Sequence, residues 1–312
     1  MIDDQFNEEN LPENHKSGFV AVVGRPNVGK STLVNALLQQ KIAIVTPRPQ
    51  TTRTKQLGII TEPDHQIIFV DTPGFIRKPR HKLDEYMVEV ALEAVGDTDV
   101  VVWMVDGSER PAAEDLAIGE RLQHLPADKP VILAINKIDK LKPQQVLERS
   151  DTFRALLPDV PWLMFSAETG AGTDALYAQI IEALPPGPRF YPADQVTDLY
   201  MRTIAAEMIR EQILLQLRDE IPHAVAVLVN DYKERDNGVT YIGATVYVER
   251  DSHKKIIIGR KGSQLSAIGT AARKEIETLI EGRVFLELFV KVETKWRRNE
   301  HVLKQLGYAS EK

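Results

Sequence analysis

Residues 24–31 read Gly-Arg-Pro-Asn-Val-Gly-Lys-Ser, and nothing else in the 312 residues restricts the fold so tightly. Phe19–Val23, just ahead, is short, apolar and β-branched, which predicts a buried strand. Thr32–Gln39, just behind, predicts a helix with Leu33, Ala36, Leu37 and Leu38 turned inward. A strand–GxxxxGKS–helix unit is a phosphate cradle. Gly24 and Gly29 let the loop through Arg25, Pro26, Asn27 and Val28 bend until its N–H groups and the helix N-terminus converge on phosphate oxygens. Lys30 is then expected at the terminal phosphates, and the Ser31 hydroxyl at a Mg²⁺ ion. A plain glycine turn before an ordinary helix is the competing reading, and the flanking strand and helix weigh against it.

Three further segments bear on which nucleotide is held. The apolar run Gln66–Val70 ends in Asp71-Thr72-Pro73-Gly74. An Asp at such a strand end can hold Mg²⁺, and the Gly74 N–H can meet a γ-phosphate. Val131–Ile135 ends in Asn136-Lys137-Ile138-Asp139. Asp139 can accept hydrogen bonds from guanine N1–H and its exocyclic amine while the Lys137 stem covers the ring. Adenine would leave that carboxylate unpaired, and sites of this kind discriminate by about 10⁴–10⁵. Trp162–Phe165 leads into Ser166-Ala167-Glu168, where the Ala167 N–H is expected at guanine O6. An NKxD pattern alone is weak, because Lys137 and Asp139 also suit a solvated loop; four motifs in order at four strand ends are strong. Residues 19–184 resemble a translation-factor-class GTPase domain of the Ras-like fold.

That resemblance implies a loop closing over the γ-phosphate. Lys41–Thr54 has the position, with Gln50-Thr51-Thr52-Arg53 inside it. Thr52 is the expected Mg²⁺ ligand by its likeness to the family's Thr-Arg pattern, and Thr51 is the alternative. Phe75 follows Asp-Thr-Pro-Gly where Ras-type enzymes carry the glutamine that orients water, and phenylalanine can make no such hydrogen bond. In GTPases that the loop resembles, an Asn such as Asn27 helps hold K⁺ beside the β- and γ-phosphates, neutralising charge as it develops. The other reading of Asn27 is a loop residue tolerant of an unusual backbone angle. The implied cofactors are GTP or GDP, Mg²⁺ and K⁺.

Charge divides the chain. Residues 1–184 carry 19 Lys and Arg against 27 Asp and Glu; residues 185–312 carry 20 against 18. The net charge of −6 therefore hides a mildly basic second half. Residues 1–17 predict a disordered acidic tail, residues 18–184 the GTPase domain, and the proline-rich stretch 185–198 a stiff linker. Cysteine is absent, which excludes disulfides and thiolate metal sites. No apolar run approaches the ~18–20 residues needed to span a bilayer, so a cytoplasmic protein is expected.

Residues 199–312 read as helix, two strands, two helices, strand, helix. Leu199–Leu217 has helical spacing; Ala224–Val229 and Val239–Val248 read as strands, with the Asn237-Gly238 turn before the second. Lys254-Lys255-Ile256-Ile257-Ile258-Gly259-Arg260-Lys261-Gly262 precedes a helix over Ser263–Leu279, and Val284–Val292 reads as a further strand. Gly-Arg-Lys-Gly in that setting matches the GxxG loop of a type II KH domain, with an α+β fold. There Gly259 and Gly262 would admit a nucleic-acid backbone, Arg260 and Lys261 would meet phosphates, and the Ile side chains, Ile258 among them, would floor the groove. A basic tight turn is the alternative. The second cluster, Lys291, Lys295, Trp296, Arg297 and Arg298, is a weaker candidate, in which Trp296 could simply pack.

Taken together, the GxPNVGKS loop, Gln50-Thr51-Thr52-Arg53, Tyr191–Asp198, Glu220–Val225 and the GxxG loop resemble the Era family of bacterial GTPases within the TrmE-Era-EngA-like class. The match covers all but the N-terminal tail. The resemblance implies a GTP-hydrolysing switch that binds the 3′ region of small-subunit (16S) ribosomal RNA and acts in maturation of the small ribosomal subunit. It also implies a monomer with peripheral membrane contact. Two rivals stand beside it: a GTPase whose second domain docks a protein or tRNA-modifying complex, and a passive RNA-binding adaptor with a decayed nucleotide site.

Overall fold

Phe19–Val23 forms a strand hidden on both sides. In the computed structural model, which describes residues 11–218 and 221–308, strand β1 spans Lys16–Val23. Val20 and Val22 enter one core, and Ala21 and Val23 another on the opposite face. A strand with two apolar faces belongs in the middle of a parallel sheet covered by helices. Its neighbours are β2 (Gln56–Thr61), β3 (His65–Asp71), β4 (Val100–Asp106), β5 (Val131–Asn136) and β6 (Trp162–Met164), in the order β2-β3-β1-β4-β5-β6. β2 runs antiparallel to β3, and the remaining pairings are parallel. Helices α1 (Lys30–Leu38) and α5 (Thr173–Ala183) cover one face with Leu33, Val34, Leu176 and Ile180. Helices α2 (Lys82–Asp97), α3 (Ala113–Leu122) and α4 (Pro143–Arg154) cover the other, contributing Ala94, Ile118, Leu122 and Phe153. The carboxyl ends of the parallel strands line one edge, where open α/β sheets bind ligands.

Two expectations change. The expected tail is cut short because β1 begins at Lys16, and residues 1–10 lie outside the described residues. Lys16 and Ser17 pair with His65 and Gln66 on β3, and Lys16 Nζ donates to the Ile181 and Glu182 carbonyls. Their polarity hid a strand that is set by backbone pairing. The segment 185–198 is extended, as its prolines dictate, but it is bound along the first sheet. β2 is an edge strand with spare backbone groups. The Val196 carbonyl accepts from the Ile59 N–H at 2.7 Å, and Thr197 Oγ1 donates to the Leu57 carbonyl at 2.6 Å.

The second unit is built on helix α6 (Met201–Gln216), strands β7 (Ala226–Glu234) and β8 (Val239–Val248), helices α7 (Asp251–Ile258) and α8 (Ser263–Ile280), strand β9 (Arg283–Val292) and helix α9 (Glu300–Gln305). The sheet order is β7-β8-β9, with β7 antiparallel and β9 parallel to β8. Ile242, Ala244, Val246 and Val248 alternate inward from β8 onto Ile209 and Ile213 of α6 and Ile268, Ala272 and Ile276 of α8. Residues 43–51 and 80–86 group with this unit, although they fall inside the first in sequence. Buried charges on α6 require partners, and the 43–51 backbone supplies them. The Val45 N–H donates to Glu211 Oε1 at 2.9 Å, and Arg210 donates to the Thr51 carbonyl.

Candidate functional site

Lys30 and Ser31 open α1, directly after a glycine at which any side chain would be strained. Gly29 has φ +104°, and a Cβ there would fall 2.4 Å from Asn136 Nδ2. Lys30 is buried, and its Nζ donates to the Gly24 and Arg25 carbonyls at 3.2 Å each. Burial pushes its pKa down to about 8, against the opposing pull of Asp71. Ser31 Oγ donates to Asp71 Oδ2 at 2.6 Å. Thr52 Oγ1 lies 2.9 Å from Ser31 Oγ and donates to the same carboxylate oxygen at 3.3 Å. Burial raises the Asp71 pKa, opposed by Lys30 and by these two hydroxyls. Asp71 Oδ1 is buried with no hydrogen-bond partner. A carboxylate with an orphaned oxygen beside two hydroxyls is a hard-oxygen set that suits Mg²⁺. Thr51 is drawn elsewhere: its hydroxyl donates to the Arg48 carbonyl at 2.8 Å and lies 2.8 Å from Thr46 Oγ1.

Asn136 ties three loops together from the end of β5. Its Nδ2 donates to the Val28 carbonyl at 2.8 Å, and its Oδ1 accepts from the Ala167 N–H at 2.9 Å. The amide expected at guanine O6 is thus used inside the protein, as a buried N–H must be. Lys137 crosses the loops too, donating to the Asn27 carbonyl at 2.7 Å and to Asp106 Oδ2 at 2.6 Å. Asp139 is exposed beside the half-buried Ile138, and Ser166 is buried, its Oγ accepting from the Thr169 N–H. Asn27 is exposed with φ +65°, a left-handed angle that Asn tolerates better than most residues.

The Asp71-Thr72-Pro73-Gly74-Phe75 loop meets the phosphate loop through its backbone. The Phe75 N–H donates to the Gly24 carbonyl at 3.1 Å, and Thr72 Oγ1 donates to the Val22 carbonyl at 2.8 Å. A Cβ on Gly74 would fall 2.7 Å from the Pro26 backbone. The Phe75 ring enters the core instead, with the Arg121 guanidinium 5.6 Å from its centroid.

Sequence reasoning missed the carboxylates that hold Arg25. Its guanidinium pairs with Glu109 at 2.6 Å, Asp115 at 3.3 Å and Asp106 at 3.7 Å, so Arg25 serves the phosphate loop through its backbone. Burial alone would raise the Asp106 pKa, but hydrogen bonds from Lys137 and Ser108 hold it below the usual carboxylate range. Its place at the carboxyl end of β4, before Gly107-Ser108, was the available signal. Asp115 lies buried in α3 and carried none.

In the second unit, α7 ends at Ile258, and Gly259 (φ +72°) turns the chain; a Cβ there would fall 2.6 Å from Gln264 Cβ. Arg260, Lys261 and Lys255 are exposed on this turn, with Lys254 half-buried. Beside it lies a groove of about 420 Å³, lined by Gly262, Leu265 and Arg273 on the helical side and by Leu286, Glu287 and Leu288 of β9. The Ile run does not line its floor as expected: Ile257 is in the core, about 100° around α7 from the exposed Ile256. Trp296 of the second basic cluster is fully buried, donating to the Ala224 carbonyl at 3.0 Å, and Arg297 pairs with Glu249 at 2.6 Å.

A six-stranded Ras-like sheet with a GKS phosphate loop, followed by an α-β-β-α-α-β unit with a GxxG turn, defines a P-loop GTPase joined to a KH domain. Residues 19–137 match the family described as 50S ribosome-binding GTPase, and residues 220–297 match the KH domain. GTPase Era of Halothermothrix orenii is 48% identical over 95% of this chain and 99% of its own, and that of Ruminiclostridium cellulolyticum is 45% identical over 96% and 99%. Two solved structures superpose with a TM-score of 0.90 at 40% identity, covering 95% of this chain and 100% of theirs. One is Era in complex with MgGDPNP and nucleotides 1506–1542 of 16S ribosomal RNA; the other is an Aquifex aeolicus Era variant bound to GDP·AlF4⁻. The chain belongs to the Era family of GTPases.

Proposed function

We propose that this chain is a GTP-hydrolysing switch that binds the 3′ region of small-subunit ribosomal RNA in its GxxG groove and acts in maturation of that subunit in the cytoplasm. The observation that carries the reading is the convergence of Lys30, Ser31, Thr52 and Asp71 at the N-terminus of α1. Ser31, Thr52 and Asp71 would hold Mg²⁺, which when bound neutralises charge on the β- and γ-phosphates. Lys30 would exchange two backbone carbonyls for phosphate oxygens and regain its full charge. Asn136 fixes the spacing of the phosphate and base loops, and the exposed Asp139 would read guanine. The crystal structure of the relative with 16S nucleotides supports the RNA half of the reading.

Phe75 leaves water to be oriented by something other than that side chain, and we assign the charge-neutralising part to K⁺ at Asn27. The left-handed angle of Asn27 accounts for an Asn there without any ion, so the assignment rests on the loop's likeness to K⁺-using GTPases. Phosphate release in matched KCl and NaCl tests it: stimulation in KCl alone is expected, and equal turnover removes the proposal.

Switching would pass through residues 43–51. Thr52 follows Thr51, whose carbonyl is held by Arg210, so movement of Thr52 onto a metal-bound triphosphate would pull on α6. A switch requires different RNA affinities in the GTP and GDP states. The primary experiment is RNA crosslinking in cells, wild type beside Arg260→Asp/Lys261→Asp. Recovery of the 3′ region of small-subunit rRNA, lost in the variant, is the expected result. Scattered RNA unaffected by the charge reversal would refute the RNA assignment and favour a protein-docking second domain.

A further inference from the structure

The KH sheet has a face that the groove does not use. Parallel register sets Tyr241 beside Phe285, Gly243 beside Glu287, Thr245 beside Phe289 and Tyr247 beside Lys291. Along β9, Leu286, Leu288 and Val290 pack toward the core, whereas Phe285 and Phe289 point the other way and are 52% and 54% exposed. Two half-exposed phenylalanines on one strand forgo burial that an inward ring would gain. Exposed aromatic patches of this kind mark binding sites.

The surroundings of the rings indicate what binds. Tyr241 stacks on Phe285 with centroids 6.0 Å apart and planes 19° from parallel. The Arg235 guanidinium lies 4.7 Å from the Tyr241 centroid and 5.6 Å from that of Phe285. Lys291 Nζ lies 5.5 Å from the Tyr247 ring. Flat π surfaces bracketed by cations hold single-stranded nucleic acid: bases stack on the rings and phosphates meet the charges. RNA-recognition sheets use aromatic residues on their open face in the same way. The face is also continuous with the groove. Glu287 lines the groove between Leu286 and Leu288, and it accepts from the Tyr241 hydroxyl at 2.8 Å. β9 is an edge strand of the three-stranded sheet, so no further strand of that sheet separates groove from face.

We propose that the outward face of β8 and β9 is a stacking platform for RNA, and that one strand runs from the GxxG groove across the β9 edge onto Phe285 and Phe289. This rests on the RNA reading of the groove and lengthens the footprint beyond the about four nucleotides a KH groove takes.

The test compares the full chain, Phe285→Ala/Phe289→Ala and Arg260→Asp/Lys261→Asp on single-stranded RNAs of about four and about twelve nucleotides from the small-subunit rRNA 3′ end. The phenylalanine variant should bind the short RNA like wild type and the long one about five- to a hundred-fold more weakly per lost stack. Equal affinity of that variant and wild type for the long RNA overturns the platform, as does an equal loss on both lengths. Unchanged RNA binding with lost sedimentation on small subunits would give the face to a protein and also overturns it. Wild-type binding by the charge-reversed variant would instead refute the groove reading. Phe289→Trp supplies an independent signal: indole fluorescence quenched by the long RNA and not by the short one supports stacking, and no change with either RNA contradicts it.

Discussion

Lys30 occupies a position where its charge is costly until an anion arrives. Burial holds its pKa at about 8, well below that of a free lysine. The unfolded chain therefore binds more protons between pH about 8 and 10.5, and the Lys30 contribution to stability rises with pH across that window. Phosphate binding restores the charge, so nucleotide binding at pH about 8.5 should take up protons. Calorimetry in two buffers of different ionisation enthalpy will show this as a buffer-dependent heat that Lys30→Met lacks. The same variant should melt no lower than wild type without nucleotide, because it removes a buried charge, and should bind GTP measurably but more weakly. Asp139 is the opposite case: exposed, it carries no packing. Asp139→Ala should leave the melting temperature unchanged and weaken GTP binding by at least about a hundredfold, because the guanine donors lose their acceptor. Fluorescent-nucleotide titration beside a thermal melt separates the two effects.

At the scale of an element, α7 and its turn divide labour between adjacent residues. Ile257 is fully buried against the second core, whereas Arg260 and Lys261 are exposed. Ile257→Ala should destabilise the KH unit by about 2–5 kcal/mol through lost contacts and a cavity, read as a lower denaturant midpoint. Arg260→Asp/Lys261→Asp should keep the wild-type midpoint and lose RNA. Whether a side chain faces the core from α7 or stands exposed on the turn after Gly259 decides which kind of damage a substitution does. The same alternation on β9 gives one strand two functions, core on one face and open aromatic rings on the other.

For the whole molecule, residues 43–51, which lead by the next peptide bond into Thr52, group with the KH unit. Arg210 is fully buried; it pairs with Glu207 and donates to the Thr51 carbonyl. Arg210→Met leaves both groups without that partner, at a cost of about 3–5 kcal/mol. Its sharper signature is functional. With residues 43–51 released, RNA affinity should no longer differ between the GTP- and GDP-loaded forms, measured by titrating labelled RNA into each. A preserved difference would assign the coupling to another route.

The local motifs were legible in the amino-acid order because each is a short stretch whose chemistry is set by covalent neighbours. GKS after a β-branched run, Asp71 and Asn136 at strand ends, and GxxG between helices all declare a backbone path and a charge. The two-sided burial of β1 and the helical spacing of α6 were readable for the same reason: periodicity records which faces meet apolar partners. What lay beyond the sequence depends on partners distant along the chain. Only the fold surrounds Arg25 with Asp106, Glu109 and Asp115, gives the Ala167 amide to Asn136, and turns Ile257 inward. It begins β1 at Lys16 despite that residue's charge, because backbone pairing with β3 is indifferent to side-chain polarity. Residues 43–51 join the second unit because buried Arg210 and Glu211 need backbone groups to satisfy them. Hydrogen-bond satisfaction in a buried site is a property of three-dimensional neighbours, and no local stretch of sequence contains it.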